Sequence, residues 1–216
     1  MLNQPLTPTG TPEADNYLFT NQHHRVEFTV IEEDMAQLND FCMQFLEGTQ
    51  AKISELKHQS EAGVGGSFQI SEGEAIDLSD DDIRDGAAME LDVWQDTGNF
   101  LVRANCLLLL ACFAEKSLVH LCNELGGKVP RPRGGQSKVD ACLDYLRTEC
   151  GLQFDDPKES LQVRELCRKI RNAFAHGEWD TCRELVTQAS LVKAFAAVTH
   201  LLEGVEAAAE GSFSSN

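Results

Sequence analysis

Residues 156–177 read DPKESLQVRELCRKIRNAFAHG and carry the clearest folding signals of the chain. Asp156 stands at an N-cap position, with Pro157 at the first helical position and Glu159 at the third. Gly177 stands where a glycine commonly follows the last residue of a helix. These signals predict one helix over residues 157–176.

The two faces of this helix differ in chemistry. Its predicted buried stripe consists of apolar side chains spaced three and four apart, namely Val163, Leu166, Ile170 and Phe174. Another face carries polar side chains at successive steps of four, namely Arg164, Arg168, Asn172 and His176. The polar face therefore presents two guanidiniums, an amide and an imidazole in one line.

Apolar periodicity outside this helix predicts further helices, at about residues 31–58, 87–125, 137–150 and 185–209. Ser137 offers an N-cap to the third of these, and Gly126 and Gly127 end the second. Residues 106–114 are apolar all round, which is typical of the central helix of a bundle. The stripe over residues 35–56 fits either a bundle core or a dimer interface. The sequence predicts an all-α, up-and-down bundle of four or five helices.

Composition predicts the segments that flank and interrupt this bundle. Residues 1–25 contain three prolines and favour a flexible leader, and residues 211–216 favour a disordered tail. Residues 61–86 are rich in Gly, Ser, Asp and Glu and favour a solvated connection. Only residues 26–31 suggest a strand. We expect a single domain over residues 26–210.

The eight cysteines are scattered through apolar helical stretches and contain no Cys-x-x-Cys pair. We interpret them as reduced core residues, and we expect neither a metal site nor another cofactor. The start of the chain lacks the pattern of a secretory signal, and the longest apolar run, Cys106 to Ala114, is far shorter than a membrane span. These features predict a cytoplasmic protein with no membrane partner.

The net charge of −17 argues against indiscriminate binding of nucleic acid. Residues 128–171 are the exception, because they hold ten Lys and Arg against seven Asp and Glu. We therefore expect any anionic ligand to meet this segment.

Arg171 and His176 join two kinds of side chain that phosphodiester chemistry uses. An imidazole moves protons near neutral pH, and a guanidinium grips a phosphate and stabilises its developing charge. Five residues on a helix separate the two by about 140° in projection. A cleft between two copies of the helix would bring two arginines and two histidines together.

The motif Arg171-Asn172-Ala173-Phe174-Ala175-His176 resembles the Arg-x(4–6)-His signature of the HEPN superfamily (higher eukaryotes and prokaryotes nucleotide-binding). In that family the motif also lies near the end of a late helix in a helical bundle. Glu115, in the apolar helix, resembles the buried acidic position of many family members and would pair with Arg171. The resemblance covers about residues 87–205.

This resemblance implies a metal-independent endoribonuclease that acts as a homodimer and cleaves RNA by attack of the ribose 2′-hydroxyl. Arg171 and His176 would be the catalytic pair, supported by Asn172 and Glu115. Family members often act as toxins or in anti-phage defence, with a neutralising antitoxin-like partner protein. The basic residues expected to contact RNA are Arg164, Arg168, Lys128, Arg131 and Arg133.

Each of these residues also has a plainer interpretation. His176 fits a residue that caps the end of a helix and interacts with its dipole. Arg164 and Arg168 fit surface residues paired with acids on neighbouring helices, and the loop at residues 128–135 fits a solvated connection. The alternative to an enzyme is a non-catalytic HEPN-like module for protein interaction or nucleotide binding.

Overall fold

A computed structural model describes residues 18–62, 66–71, 74–155 and 158–213. Its α-helices are α1 (Val26–Ala62), α2 (Asp80–Val93), α3 (Asn99–Gly126), α4 (Lys138–Thr148), α5 (Lys158–His176) and α6 (Gln188–Phe213). A π-helical turn at Trp94–Gly98 joins α2 to α3, and a 3₁₀ helix at Trp179–Leu185 precedes α6. The predicted all-α class is confirmed, apart from a hairpin of two short strands, β1 (Gly66–Ser71) and β2 (Glu74–Leu78).

The described residues divide into two compact units, which the helices α1 and α3 both enter. One unit consists of residues 43–103, and the other contains residues 18–42 and 104–213. The single domain expected over residues 26–210 stays a prediction.

The unit of residues 43–103 contains the hairpin, which corrects the solvated connection predicted for residues 61–86. Strands β1 and β2 pair in antiparallel fashion, with Gly66 opposite Leu78. Helix α2 then begins inside the same stretch, because Ser79 forms a capping box with Asp82. The composition of residues 61–86, rich in Gly, Ser and Asp, predicted a loop, but the segment contains a hairpin and the start of a helix.

The other unit includes residues 18–25, which were predicted to belong to a flexible leader over residues 1–25. Leu18 and Phe19 are each only 1% exposed, and Phe28 packs near Phe19 with ring centroids 6.1 Å apart. The Asn21 side chain accepts a hydrogen bond from the Arg25 backbone N–H at 3.0 Å. Residues 18–25 therefore belong to the packed structure; residues 1–17 lie outside the described residues.

Helix α1 starts at Val26, so the strand suggested for residues 26–31 is wrong. Phe28, Ile31 and Met35 are buried on one helical face, and this spacing outweighs the β-propensity of the aromatic and branched residues. At the other end of the chain, α6 continues to Phe213, which corrects the start of the tail predicted at Gly211. Residues 214–216 lie outside the described residues.

Helices α3 to α6 position the residues of interest. The predicted N-cap Ser137 is confirmed, because its side chain accepts a hydrogen bond from the Asp140 N–H at 3.1 Å. Helix α5 packs against α6. The buried core that supports these helices includes Leu107, Leu110, Leu121, Leu143, Leu146, Leu191, Phe195 and Leu202.

The helical stretch Asp80–Gly126 is long enough to cross a bilayer and contains an 18-residue window with a mean hydropathy of 1.5. One third of that window is buried. The same length and composition also occur in core helices of soluble proteins. The predicted lack of a membrane partner and the cytoplasmic location therefore stay predictions.

Candidate functional site

Helix α5 carries the motif, and small side chains form much of its buried face. Ser160, Cys167, Ile170 and Ala173 are buried. The predicted stripe was only partly right, since Ile170 is buried but Val163, Leu166 and Phe174 are half-buried. The Cys167 thiol donates a hydrogen bond to the Leu107 carbonyl at 3.5 Å, which the small side chain permits. The predicted caps Asp156 and Pro157 lie outside the described residues.

The C-terminal end of α5 has the geometry that the sequence predicts. Gly177 has a φ of 71°, a conformation that favours glycine. Its N–H donates to the Phe174 carbonyl at 3.3 Å, and the Glu178 N–H donates to the Ala173 carbonyl at 2.8 Å. This pair of bonds is a Schellman motif. It fixes His176 as the last residue of the helix.

Arg171, Asn172 and His176 are all exposed on the last turns of α5. Within the described part of the chain, none of the three side chains forms a hydrogen bond or an ion pair. The other two arginines of the helix differ. Arg164 pairs with Asp140 at 3.5 Å, and Arg168 pairs with Glu165 at 2.7 Å. The expected pairing with acids on neighbouring helices is confirmed for Arg164, whose partner lies on α4, and is wrong for Arg168, whose partner lies on α5 itself. Contact of the two arginines with RNA stays a prediction.

Glu115 lies in a different environment from the one expected. It is exposed, so the buried acidic position implied by the resemblance is absent from this place in α3. Helix α3 is not enclosed on every side either, since Leu109 is 40% exposed and Cys112 is exposed. The predicted ion pair between Glu115 and Arg171 is not formed, although both are described residues.

Glu115 and Arg171 nevertheless face the same cavity, which has a volume of about 350 Å³. Helices α3, α5 and α6 and the start of α4 line it, and it is open to solvent on one side. Its apolar lining includes Leu108, Ala111, Ala114, Leu161, Val163, Val198 and Leu201. Its charged lining consists of Glu115, Asp140, Arg164, Glu165, Arg168 and Arg171. We call this space the α3–α5 cavity.

Two thiols also line the α3–α5 cavity, Cys112 at its exposed side and Cys167 at its buried side. Burial, together with the nearby Cys112 thiol, raises the pKa of Cys167 to about 11. A thiol with this pKa stays protonated and unreactive at neutral pH. All eight cysteines are free thiols, and six of them are buried as the predicted core cysteines would be. The prediction is wrong for Cys112, which is exposed, and for Cys150, which is half-buried.

The basic loop after α3 lines a second cavity, of about 1000 Å³, together with residues of α4. Lys128, Arg131 and Arg133 are exposed there, beside the carboxylates of Asp144 and Glu149. A hydrogen bond attaches the loop to the start of α4, because the Lys138 ammonium donates to the Pro130 carbonyl at 2.7 Å. The predicted RNA-binding residues therefore divide between two cavities.

Asn172 and His176 line neither cavity. The structure thus gathers Arg164, Arg168, Arg171 and Glu115 in one place but leaves His176 outside it. Among the described residues, no group of three His, Cys, Asp or Glu side chains could hold a metal ion.

The apolar cavity was not predicted from the sequence, because the apolar residues 106–114 indicated a helix at the centre of the bundle, covered on every side. A signal was present, since the polar residues Asn105 and Lys116 are about three helical turns apart and therefore lie on the same side of α3. Both are exposed.

Comparisons with protein-family models, with curated proteins and with solved structures gave no match for this chain.

Proposed function

We propose that this protein is a metal-independent endoribonuclease of the HEPN type. The observation that carries the proposal is the state of its motif residues. Arg171, Asn172 and His176 are exposed and make no hydrogen bond or ion pair with any other described residue. The chain has 35 Asp and Glu against 18 Lys and Arg, so acidic partners are plentiful. An arginine that takes none of them is available to bind a phosphate.

The proposed reaction uses the first and the last residue of the motif, Arg171 and His176. The His176 imidazole takes the proton from a ribose 2′-hydroxyl, and the oxygen attacks the adjacent phosphorus. The bond from phosphorus to the 5′-oxygen then breaks, and an imidazolium returns a proton to that oxygen. The Arg171 guanidinium stabilises the negative charge on the phosphoryl oxygens. The products are a 2′,3′-cyclic phosphate and a 5′-hydroxyl.

Two copies of the chain complete the proposed site. Arg171 and His176 lie about 140° apart in projection, so the two side chains need not touch within one chain. In a homodimer, the arginine of one protomer would face the histidine of its partner across an RNA strand. A HEPN-like up-and-down bundle, a cytoplasmic location and a neutralising antitoxin-like protein belong to the same proposal.

One observation favours a second candidate, a non-catalytic HEPN-like module for protein interaction or nucleotide binding. Glu115 is exposed and does not hold Arg171, so the expected support for the catalytic arginine is missing. In this candidate, a partner binds to the exposed end of α5 and no bond is cleaved.

The deciding experiment compares the wild-type protein, His176→Ala and His58→Ala on total and structured RNA in the presence of EDTA. His58 is also exposed and serves as the matched control on α1. We expect cleavage by the wild-type and His58→Ala proteins, products that end in a cyclic phosphate, and no cleavage by His176→Ala. Circular dichroism and the oligomeric state must be equal for all three.

Loss of all cleavage in EDTA with rescue by a divalent metal would rule out the proposed mechanism. Equal cleavage by the His176→Ala variant would remove this residue from the site. RNA binding by every variant without cleavage would favour the non-catalytic module.

A further inference from the structure

Four of the six charged side chains that line the α3–α5 cavity form ion pairs, and one acidic and one basic side chain do not. Arg164 pairs with Asp140 at 3.5 Å, and Arg168 pairs with Glu165 at 2.7 Å. Glu115 on the α3 wall and Arg171 on the α5 wall form no ion pair with any other described residue. The cavity therefore offers one carboxylate and one guanidinium, held on different helices.

The rest of the lining is apolar. Leu108, Ala111 and Ala114 come from α3, while Val198 and Leu201 come from α6. Leu161, from α5, is 50% exposed at the cavity edge. A volume of about 350 Å³ lies in the range of small-molecule sites, roughly 300–1,000 Å³, which are mostly apolar with a few placed polar groups.

From this arrangement we infer that the α3–α5 cavity binds a small zwitterion with an apolar body, namely an amino acid or dipeptide with apolar side chains. The Glu115 carboxylate binds the ligand ammonium, and the Arg171 guanidinium binds the ligand carboxylate in bidentate fashion. The apolar side chains of the ligand lie against Leu108, Ala111 and Val198.

Charge balance selects this ligand over a simple fatty anion. An anion bound to Arg171 would share the cavity with the Glu115 carboxylate, and like charges repel each other. A zwitterion satisfies both groups. A dipeptide also suits two groups that are too far apart to pair directly, because its charged ends are separated by a peptide unit.

This inference does not depend on RNA cleavage, because it concerns binding at Glu115 and not chemistry at His176. It does predict competition, since a bound ligand would occupy the Arg171 guanidinium.

The test measures binding of leucine, leucyl-leucine, N-acetyl-leucyl-leucine and leucyl-leucine amide to the full chain by calorimetry. We expect leucine or leucyl-leucine to bind, and removal of either ligand charge to weaken binding roughly tenfold. In Glu115→Gln the acetylated and free dipeptides should bind equally. In Arg171→Gln the amidated and free dipeptides should bind equally.

Lys169→Gln is the matched control, because Lys169 is exposed on α5 but does not line the cavity. It should bind every ligand as the wild-type protein does. Failure of leucine and leucyl-leucine to bind would overturn the inference. So would equal binding of all four ligands to the wild-type protein, or tighter binding of the acetylated dipeptide, which would indicate an anion site. None of these readouts involves RNA, so failure here and failure of the proposed nuclease are distinguishable.

Discussion

The indole ring of Trp179 stacks on the phenyl ring of Phe174, with ring centroids 5.8 Å apart and 15° between the ring planes. The two residues lie on either side of His176 and Gly177. The turn that ends the motif helix is therefore closed by an aromatic contact in addition to the backbone bonds of the Schellman motif.

The first prediction concerns this stack. Trp179→Ala should lower the free energy of unfolding by about 1–2 kcal/mol, since aromatic pairs contribute beyond the area they bury. Trp179→Phe retains a stacking ring and should lose less than half as much. Urea unfolding followed by circular dichroism measures both. Equal losses in the two variants would show that the ring contact does not stabilise the turn.

The second prediction uses two helical glycines with opposite surroundings. A Cβ atom at Gly126 would lie 2.5 Å from the Tyr145 ring, whose hydroxyl donates to the Gly126 carbonyl at 2.8 Å. Gly126→Ala should therefore destabilise the protein by about 1–3 kcal/mol, as overpacking commonly does. A Cβ atom at Gly48 meets nothing within 4 Å, so Gly48→Ala should stabilise it by up to about 1 kcal/mol.

Thermal unfolding of the two alanine variants provides the measurement. Shifts in the same direction would contradict the surroundings described for one of the two glycines.

Local signals in the sequence were reliable where a few neighbouring residues decide the structure. Ser137 and Gly177 are examples, because a cap depends on side chains and dihedral angles within one turn. The hairpin at residues 66–78 was missed because its composition resembles that of a loop. The exposure of Glu115 was missed for another reason: an all-apolar stretch shows which residues prefer burial, but only tertiary packing decides which side of α3 is covered.

The third prediction concerns the segment before α1. The Glu206 side chain is 1% exposed and accepts a hydrogen bond from the His23 backbone N–H at 2.9 Å. Glu206→Ala should leave that N–H without its acceptor and accelerate its exchange with solvent, at a cost of about 1–3 kcal/mol. Glu206→Gln keeps an acceptor oxygen and should retain most of the protection. Amide hydrogen exchange at His23 measures the effect, and an unchanged rate in Glu206→Ala would show that the bond does not hold this segment.

The fourth prediction concerns the basic loop. Arg131 and Arg133 are exposed, and neither side chain pairs with another described residue. If RNA binds along this loop, alanine at both positions should reduce the slope of log K against log salt by roughly 1–2, because each phosphate contact on a single strand contributes about 0.7. Binding of a single-stranded RNA over a salt series measures the slope. An unchanged slope would remove the loop from the RNA-binding surface, whereas the matched variant Lys169→Ala tests whether any exposed cation has the same effect.

The fifth prediction follows from the raised pKa of Cys167, which is about 11 in the folded protein against an ordinary value of 9.0. Burial is the main cause, because the apolar surroundings disfavour the thiolate, and the Cys112 thiol adds to it. The folded state therefore keeps a proton that the unfolded state releases first as pH rises. The resulting stability is fully present below pH 9 and is lost as pH rises through about 11.

Replacing Cys167 by alanine removes this titration. The free energy of unfolding of the wild-type protein should fall relative to that of Cys167→Ala by on the order of 2 kcal/mol between pH 8 and 11. Cys112→Ala is the control, since Cys112 is exposed and should leave most of the pH dependence intact. Urea unfolding at a series of pH values gives the two curves. Parallel curves for the wild-type and Cys167→Ala proteins would show that the thiol is hydrated in the folded state, and the buried side of the α3–α5 cavity would then be open to water.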